Sequence, residues 1–309
     1  MSTADIPAAP QRAAPARRGY PDGPSMPAPP AYRPGPVRGW VRLFRSELGL
    51  VFLRWRNIAL LAVLAAIPAL IGFALWLAAP TGGGGQGPPF LDQVAGNGVF
   101  LAFLALVVML TLVLPLAVAV VAGDSVAGEA GHGTLRYLLT VPAGRTRLLG
   151  IKYAALVVFC VCACLVITGV ALAVGVLLFP VGPVTLLSGT TISLAAGLLR
   201  LLLVALYVAG AMAGLAAIGL AISTLTEHPI AAIAAVLVIA VGSEVADSVP
   251  QFAVIHPYLP THWWLSFDAL LRAPVAWPDL MHGLLSFGVY VGIFGAIAWA
   301  RITTADVTS

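Results

Sequence analysis

The chain has 309 residues, of which 60% are hydrophobic and only 9% are charged, and its formal net charge is +4 at pH 7. Its mean hydropathy of +1.00 is far above the value expected for a soluble domain with a wetted surface. This composition excludes a soluble globular protein and indicates an integral membrane protein.

The amino-terminal region divides into a tail and an amphipathic segment. Residues 1–37 are rich in Pro and Ala and lack an apolar run, so we expect a disordered tail rather than a cleaved signal peptide. Residues 38–57 place large apolar side chains on one stripe at helical spacing and arginines on the other side. We interpret this segment as a helix in the membrane interface, with its arginines facing anionic lipid headgroups. A basic anchor without a defined angle is the alternative. The apolar stripe is Trp40, Phe44, Leu48, Val51 and Trp55, and the basic side is Arg38, Arg42, Arg45 and Arg56.

Long apolar runs predict an all-α integral membrane domain over residues 58–300. Each run is long enough to cross a hydrocarbon core about 30 Å thick as a helix, and none shows the short alternating segments of a membrane β-barrel. The three cysteines fall inside the third run and are interpreted as small packing residues. The six predicted spans are Ile58–Ala79, Val99–Ala122, Ala154–Phe179, Leu201–Ile222, Ile230–Val245 and Leu284–Ala300.

The basic residues predict the orientation of these spans. With a cytoplasmic amino terminus, fourteen of the sixteen Lys and Arg residues lie on the cytoplasmic side, and only Arg200 and Arg272 lie outside. Both termini, including the short tail 301–309, are therefore predicted to be cytoplasmic. The outer loop 248–281 contains Trp263, Trp264 and Trp277, which favour short interfacial or re-entrant helices at the outer membrane surface.

A polar, glycine-containing segment, residues 123–152, separates the second and third spans. Asp124 and Glu129 follow the second span directly, and Gly131 and Gly133 are expected to break that helix. Thr134 is placed to cap a short helix over residues 135–140, and a proline follows at residue 142.

A further helix then begins and enters the membrane at Lys152, whose long stem is expected to keep its amine at the surface. The segment is therefore predicted to be a cytoplasmic helical hairpin that stands on two transmembrane helices. Force applied to this hairpin would reach both spans.

This segment resembles the signature of the permease subunits of type-2 ABC exporters. The signature is an acid, a Glu followed by Gly-Thr-Leu, a pair of leucines, a Pro, an Arg, and a Lys at the head of the third span. The resemblance extends to the number of spans, the cytoplasmic termini and the amphipathic first helix. One loop departs from the family pattern: "STLTEHP" is acidic where this family often has a basic residue. The matching positions are Asp124, Glu129, Gly133, Thr134, Leu135, Leu138, Leu139, Pro142, Arg145 and Lys152.

The resemblance implies a subunit in the cell membrane that pairs with a second copy of itself, or with a homologous permease, around a substrate path. It also implies that these ten residues dock a separate ATP-binding subunit, which would hold ATP and Mg²⁺. Independently, a P-loop needs a lysine within G-x-x-x-x-G-K-[ST], and the only lysine here, Lys152, lies in "GIKYA". We therefore expect no cofactor, metal or catalytic site in this chain, and no nucleic-acid partner.

A pair of acids in the fifth span leaves an alternative function open. Glu244 and Asp247 share one helix face near the outer end of the fifth span, where they could carry protons or pair with Arg200. A gradient-driven transporter or a non-transporting membrane scaffold is therefore the second hypothesis.

The pattern "GAMAG", residues 210–214, favours close helix packing within one subunit over a contact between subunits. The substrate does not follow from the sequence.

Overall fold

The computed structural model describes residues 36–78, 97–131 and 144–304, and these ranges are dominated by long α-helices. The predicted helical hairpin therefore lies largely outside the described residues, as does most of the amino-terminal tail. The all-α membrane fold is confirmed. The helices are α1 (Pro36–Phe52), α2 (Trp55–Ala78), α3 (Val99–Thr111), α4 (Val113–Gly131), α5 (Arg145–Leu178), α6 (Leu194–Leu225), α7 (Pro229–Ser248) and α8 (Trp277–Thr304).

Five of these helices, α2 and α5 to α8, are each long and apolar enough to cross a membrane. Helices α3 and α4 pass the same test as a pair, which is bent by 55°. Counting that pair as one span gives the six predicted spans. The predicted amphipathic segment 38–57 is not one continuous helix: it contains α1 from residue 38 to Phe52, a bend at residues 53–54 and the first three residues of α2.

The bend between α3 and α4 was not predicted, because the apolar run continues through it. Leu112 leaves the helical conformation, with φ −149° and ψ −47°, and α4 begins at the next residue. Pro115 explains the break, since it has no N–H to donate and its ring crowds the carbonyl four residues earlier. The second span is therefore two helices rather than one.

Helix α6 forms the centre of the bundle. Its apolar stretch is 78% buried, whereas those of the other four single spans are between 17% and 39% buried. Gly210 and Gly214 pack against Phe287 of α8, which confirms that "GAMAG" makes a contact within the subunit. Cys160 and Cys164 are buried in the hydrophobic core, as expected for packing residues.

The two ends of the bundle differ, and we name them by their elements. The α1 end holds α1, the last turns of α4 and α8, and the first turn of α5. The opposite end is named the hairpin end after a β-hairpin, which is distinct from the predicted helical hairpin at the α1 end. This antiparallel β-hairpin was not predicted; it consists of β1 (Val184–Thr185) and β2 (Thr191–Ile192), and its turn uses Gly189 at φ +78°. The predicted short helices of the outer loop are present there as 3₁₀ helices at Pro250–Phe252, His256–Tyr258 and Ser266–Leu271.

Close backbone contact joins α3 to α5 near the hairpin end. A Cβ placed on Gly98 would clash with the carbonyl of Gly175, and a Cβ on Gly175 would clash with the carbonyl of Gly98. Asn97 adds hydrogen bonds from Nδ2 to the carbonyls of Gly182 and Pro183, both at 3.0 Å. These contacts fix the start of α3 on the end of α5.

One sequence interpretation at the hairpin end is wrong, whereas the position of the tryptophan-containing loop at the membrane interface stays a prediction. Trp264 is buried in the core, at 5% exposure. Arg200 does not pair with the acids of α7, because its guanidinium donates to the carbonyls of Leu270 and Arg272 at 2.7 and 3.0 Å. It therefore closes the end of the third 3₁₀ helix.

Candidate coupling site at the α1 end

A buried group of three charged side chains joins three helices at the α1 end. Lys152 Nζ of α5 donates to Glu129 Oε1 of α4 at 2.6 Å and to Glu47 Oε2 of α1 at 3.1 Å. Lys152 is 4% exposed, and each glutamate is 8% exposed. We name Glu47, Glu129 and Lys152 the ionic triad. The expectation that the Lys152 amine reaches the surface is wrong, because two carboxylates hold it inside.

Helical spacing explains how Glu47 reaches the interior. Residues 40, 44, 47 and 51 recur at intervals of three or four, so Glu47 lies on the same face of α1 as Trp40, Phe44 and Val51. The predicted apolar stripe therefore includes an acid. Its charge is tolerated there because Lys152 neutralises it at hydrogen-bonding distance.

A second ion pair group lies beside the triad at the turn between α1 and α2. Asp124 Oδ2 of α4 accepts from Arg54 at 2.5 Å and from Arg56 at 2.7 Å. Asp124 is 7% exposed, whereas both arginine side chains are more than 40% exposed. Gly128 makes room for this carboxylate, since a Cβ at residue 128 would lie 2.5 Å from Asp124 Oδ1.

The two groups balance their charges and share a small cavity. Three carboxylates and three cations make the set electrically neutral, which lowers the cost of burying it. A cavity of about 30 Å³ is lined by residues of both groups, which is large enough to hold a water molecule. The six side chains are Glu47, Arg54, Arg56, Asp124, Glu129 and Lys152.

Ser223, near the end of α6, ties the central helix to α4 within the same region. Its hydroxyl donates to the carbonyl of Gly123 at 2.7 Å and accepts from the amides of Val126 and Ala127 at 3.1 and 2.8 Å. Ser223 is 1% exposed, so these bonds are shielded from water. The position of Asp124 and Glu129 is therefore fixed by α6 as well as by α5.

The first turn of α5 contacts α1 on one side and α8 on the other. Arg147 lies over the ring of Trp40, with its Cζ atom 4.6 Å from the centroid. Arg145 donates to the carbonyls of Ile302 and Thr303 in the last turn of α8, at 3.2 and 3.3 Å. A cation at this place complements the negative end of the helix dipole.

Four of the ten predicted docking residues can be located in the structure. Asp124, Glu129 and Lys152 come together in the two ion pair groups, and Arg145 lies at the end of α8. All four make contacts within the chain. The other six lie outside the described residues, and their docking role stays a prediction: Gly133, Thr134, Leu135, Leu138, Leu139 and Pro142.

Sequence reasoning missed several residues of this site. Glu47 had a readable signal, because it is an acid on the apolar face of a basic helix. Arg54 and Ser223 had none, since an arginine in a turn and a serine at a helix end are common on protein surfaces. Their partners lie 70 and 100 residues away in the sequence, so only the fold reveals the contacts.

At the hairpin end, the two acids considered for proton transport differ in exposure and in their ionic contacts. Asp247 Oδ1 lies 2.6 Å from His262 Nδ1 and 3.8 Å from His256 Nδ1, whereas Glu244 is exposed. Within the described part of the chain, no group of His, Cys, Asp and Glu has the arrangement of a metal site.

The long apolar helices and the neutral ionic set at one end define a multi-pass helical membrane protein in which three helices are locked by charge. The sequence profile described as ABC-2 family transporter protein matches residues 52–243, more than half of the chain. The chain therefore belongs to the ABC-2 transporter family and is a membrane permease of that class, a family whose members work with an ATP-binding subunit. No curated protein sequence gives a significant match.

Proposed function

We propose that this chain is the permease subunit of an ATP-driven exporter and that a separate ATP-binding subunit docks on residues 123–152. ATP and Mg²⁺ would be held by that partner. A second copy of the chain, or a homologous permease, would complete the substrate path. The unequal distribution of basic residues supports a cell-membrane protein with both termini and the docking segment in the cytoplasm.

The observation that carries this proposal is the ionic triad. Glu129 and Lys152 belong to the two helices that flank residues 132–143, and Lys152 also binds α1 through Glu47. A push on the docking segment would therefore reach α1, α4 and α5 together. Packed helices of this kind switch between discrete arrangements, so a small displacement at one end can change the state of the bundle.

The length of α5 supports the same assignment. Its 34 residues span about 51 Å at 1.5 Å per residue, which exceeds the roughly 30 Å hydrocarbon core of a bilayer. Part of α5 must extend beyond the hydrocarbon. Its contacts with α1 and α8 would hold the first turn of α5 in place for a docked partner.

The first test is co-purification followed by an ATPase assay. The full chain should be isolated from membranes with an ATP-binding subunit bound, and the complex should hydrolyse ATP. The chain freed of that subunit should be inactive, because its only lysine is in the ionic triad. Robust hydrolysis by the isolated chain would refute the division of labour.

The second test separates coupling from folding with Glu47→Gln. This change removes the charge that links α1 to Lys152 but leaves the shorter Lys152–Glu129 pair intact. Coupling free energies are typically worth a factor of about 5 to 150, so we expect the permease to lose at least about fivefold of its stimulation of the partner's ATPase.

The matched control is Glu244→Gln, which makes the same chemical change at an exposed position of the hairpin end. It should leave ATPase stimulation, expression and complex formation unchanged. Normal stimulation by Glu47→Gln, with the complex intact, would mean that the triad does not transmit the partner's motion.

A further inference from the structure

A large pocket at the hairpin end is separate from the coupling site. Its volume is about 500 Å³, and it lies between α3 and the loop that connects α7 to α8. This size falls within the range of about 300 to 1,000 Å³ that is typical of small-molecule sites. The pocket shares no lining residue with the ionic set.

The wall of the pocket is mainly apolar and aromatic. Phe100, Phe103 and Val107 line it from α3, and Phe267 and Leu271 line it from the third 3₁₀ helix. Aromatic faces of this kind pack against the apolar body of a ligand and also attract cations through their π electrons.

The polar lining comes from one short stretch of the loop and includes a carboxylate. Asp268 binds Arg272 at 2.9 Å, and both side chains are about half exposed, so this pair is weak and readily exchanged. His262 also lines the pocket, and its ring is oriented by Asp247 at 2.6 Å. A ligand cation could therefore replace Arg272 at Asp268 with little loss.

The charge of the hairpin end favours a cation as well. Among the described residues of this end, four acids face two arginines, and the guanidinium of Arg200 is already occupied by two backbone carbonyls. Asp268 lines the pocket and Arg272 does not, so a ligand in the pocket meets the carboxylate rather than its guanidinium partner. The acids are Glu244, Asp247, Asp268 and Asp279.

We propose that this pocket binds amphiphilic organic cations, with the apolar body of the ligand against the phenylalanines and its positive charge at Asp268. A role of this site in the transport path rests on the proposed function, whereas binding itself does not. The pocket then serves as a recognition site that needs neither ATP nor the partner subunit.

The test measures equilibrium binding to the full chain in nanodiscs of zwitterionic lipid, without nucleotide or partner. Radiolabelled tetraphenylphosphonium is the probe, and tetraphenylborate, which has nearly the same shape and the opposite charge, is the control ligand. We expect saturable binding of the cation after subtraction of empty nanodiscs, and none of the anion. Absence of saturable cation binding, or equal binding of both ions, would overturn the proposal.

Matched variants localise the binding. Val107→Trp should fill the pocket and weaken binding at least about tenfold, a loss of about 1.4 kcal/mol. Val108→Trp, at the next exposed position outside the pocket lining, should leave binding within about twofold of the unaltered protein. Equal effects of the two tryptophans, or no effect of Val107→Trp, would contradict the proposed location.

The charge requirement is tested by Asp268→Asn against Asp279→Asn. The first should weaken binding of the cation about threefold to fivefold, as expected for a partly exposed ion pair, and the second should not. An unchanged affinity in Asp268→Asn would refute recognition of the charge. Because this assay contains no ATPase, loss of coupling with retained cation binding would count against the proposed function alone.

Discussion

Replacing Lys152 by methionine should destabilise the protein strongly, because it removes the only cation of the ionic triad. Methionine preserves much of the apolar stem but leaves Glu47 and Glu129 buried without their shared partner. Removing one member of a buried ion pair typically costs about 3 to 5 kcal/mol.

The geometry of the triad gives an independent figure for the repulsion. Both carboxylate oxygens lie within about 3 Å of the same nitrogen, so they are at most about 6 Å apart. At an effective dielectric constant of about 20, two like charges at that distance repel by about 3 kcal/mol. The triple variant Glu47→Gln, Glu129→Gln, Lys152→Met removes this repulsion and should regain about 3 kcal/mol relative to Lys152→Met alone.

The assay is equilibrium unfolding in mixed micelles with increasing fractions of sodium dodecyl sulfate, followed by far-ultraviolet circular dichroism. Arg301→Met, which removes an exposed cation from the same end of the bundle, serves as the control and should cost less than about 0.5 kcal/mol. A loss below about 1 kcal/mol in Lys152→Met would refute the argument. So would a triple variant that is no more stable than the single one.

Three further predictions use the same unfolding assay or a labelling assay. Gly175→Ala should cost about 1 to 3 kcal/mol because the new Cβ meets the backbone carbonyl of Gly98, whereas Gly169→Ala, on the same helix with open space, should be neutral or stabilising. Equal effects of the two changes would refute the close contact. Ser223→Ala should cost about 1 to 3 kcal/mol of stability, because it removes buried hydrogen bonds to α4. Thr224→Ala should cost clearly less, since among the described residues the Thr224 hydroxyl bonds only its own helix. The reverse order would contradict the bridging role of Ser223. A cysteine at Thr185, in a chain whose native cysteines are alanine, should react with an impermeant maleimide on intact cells; labelling only after permeabilisation would reverse the proposed orientation.

The helical spans could be predicted because their signal is local. A run of about 20 apolar residues specifies a membrane helix whatever surrounds it, and the predicted ranges match the observed helices α2 and α5 to α8, with two of them running one residue past the helix end. The bend at Leu112 could not be predicted in this way. Pro68 lies inside an unbroken α2, so a proline in an apolar run does not by itself decide between a continuous and a broken helix.

The site was predictable only in part, because its partners are distant in sequence. Asp124, Glu129 and Lys152 were identified from their spacing and from the family resemblance. Glu47 lies 105 residues before Lys152, and nothing in the local pattern of either residue names the other. The burial of Lys152 follows from that contact. The short strands of the β-hairpin also escaped prediction, since two residues each carry no readable alternation.

The broken span connects the candidate coupling site to the pocket through α5. Glu129 of α4 is held by Lys152 near the start of α5, and Gly98, just before α3, crosses Gly175 near the end of α5. Both halves of the broken span are therefore fixed to one continuous helix, at points about 35 Å apart. The bend at Leu112 can change only if α5 moves or one of these contacts yields. Under the proposed mechanism, a push on the docking segment would shift α4, and α5 would follow through Lys152. Helix α5 would then carry the start of α3 with it through the contact of Gly175 with Gly98, which would move the α3 wall of the pocket against the loop that carries Asp268.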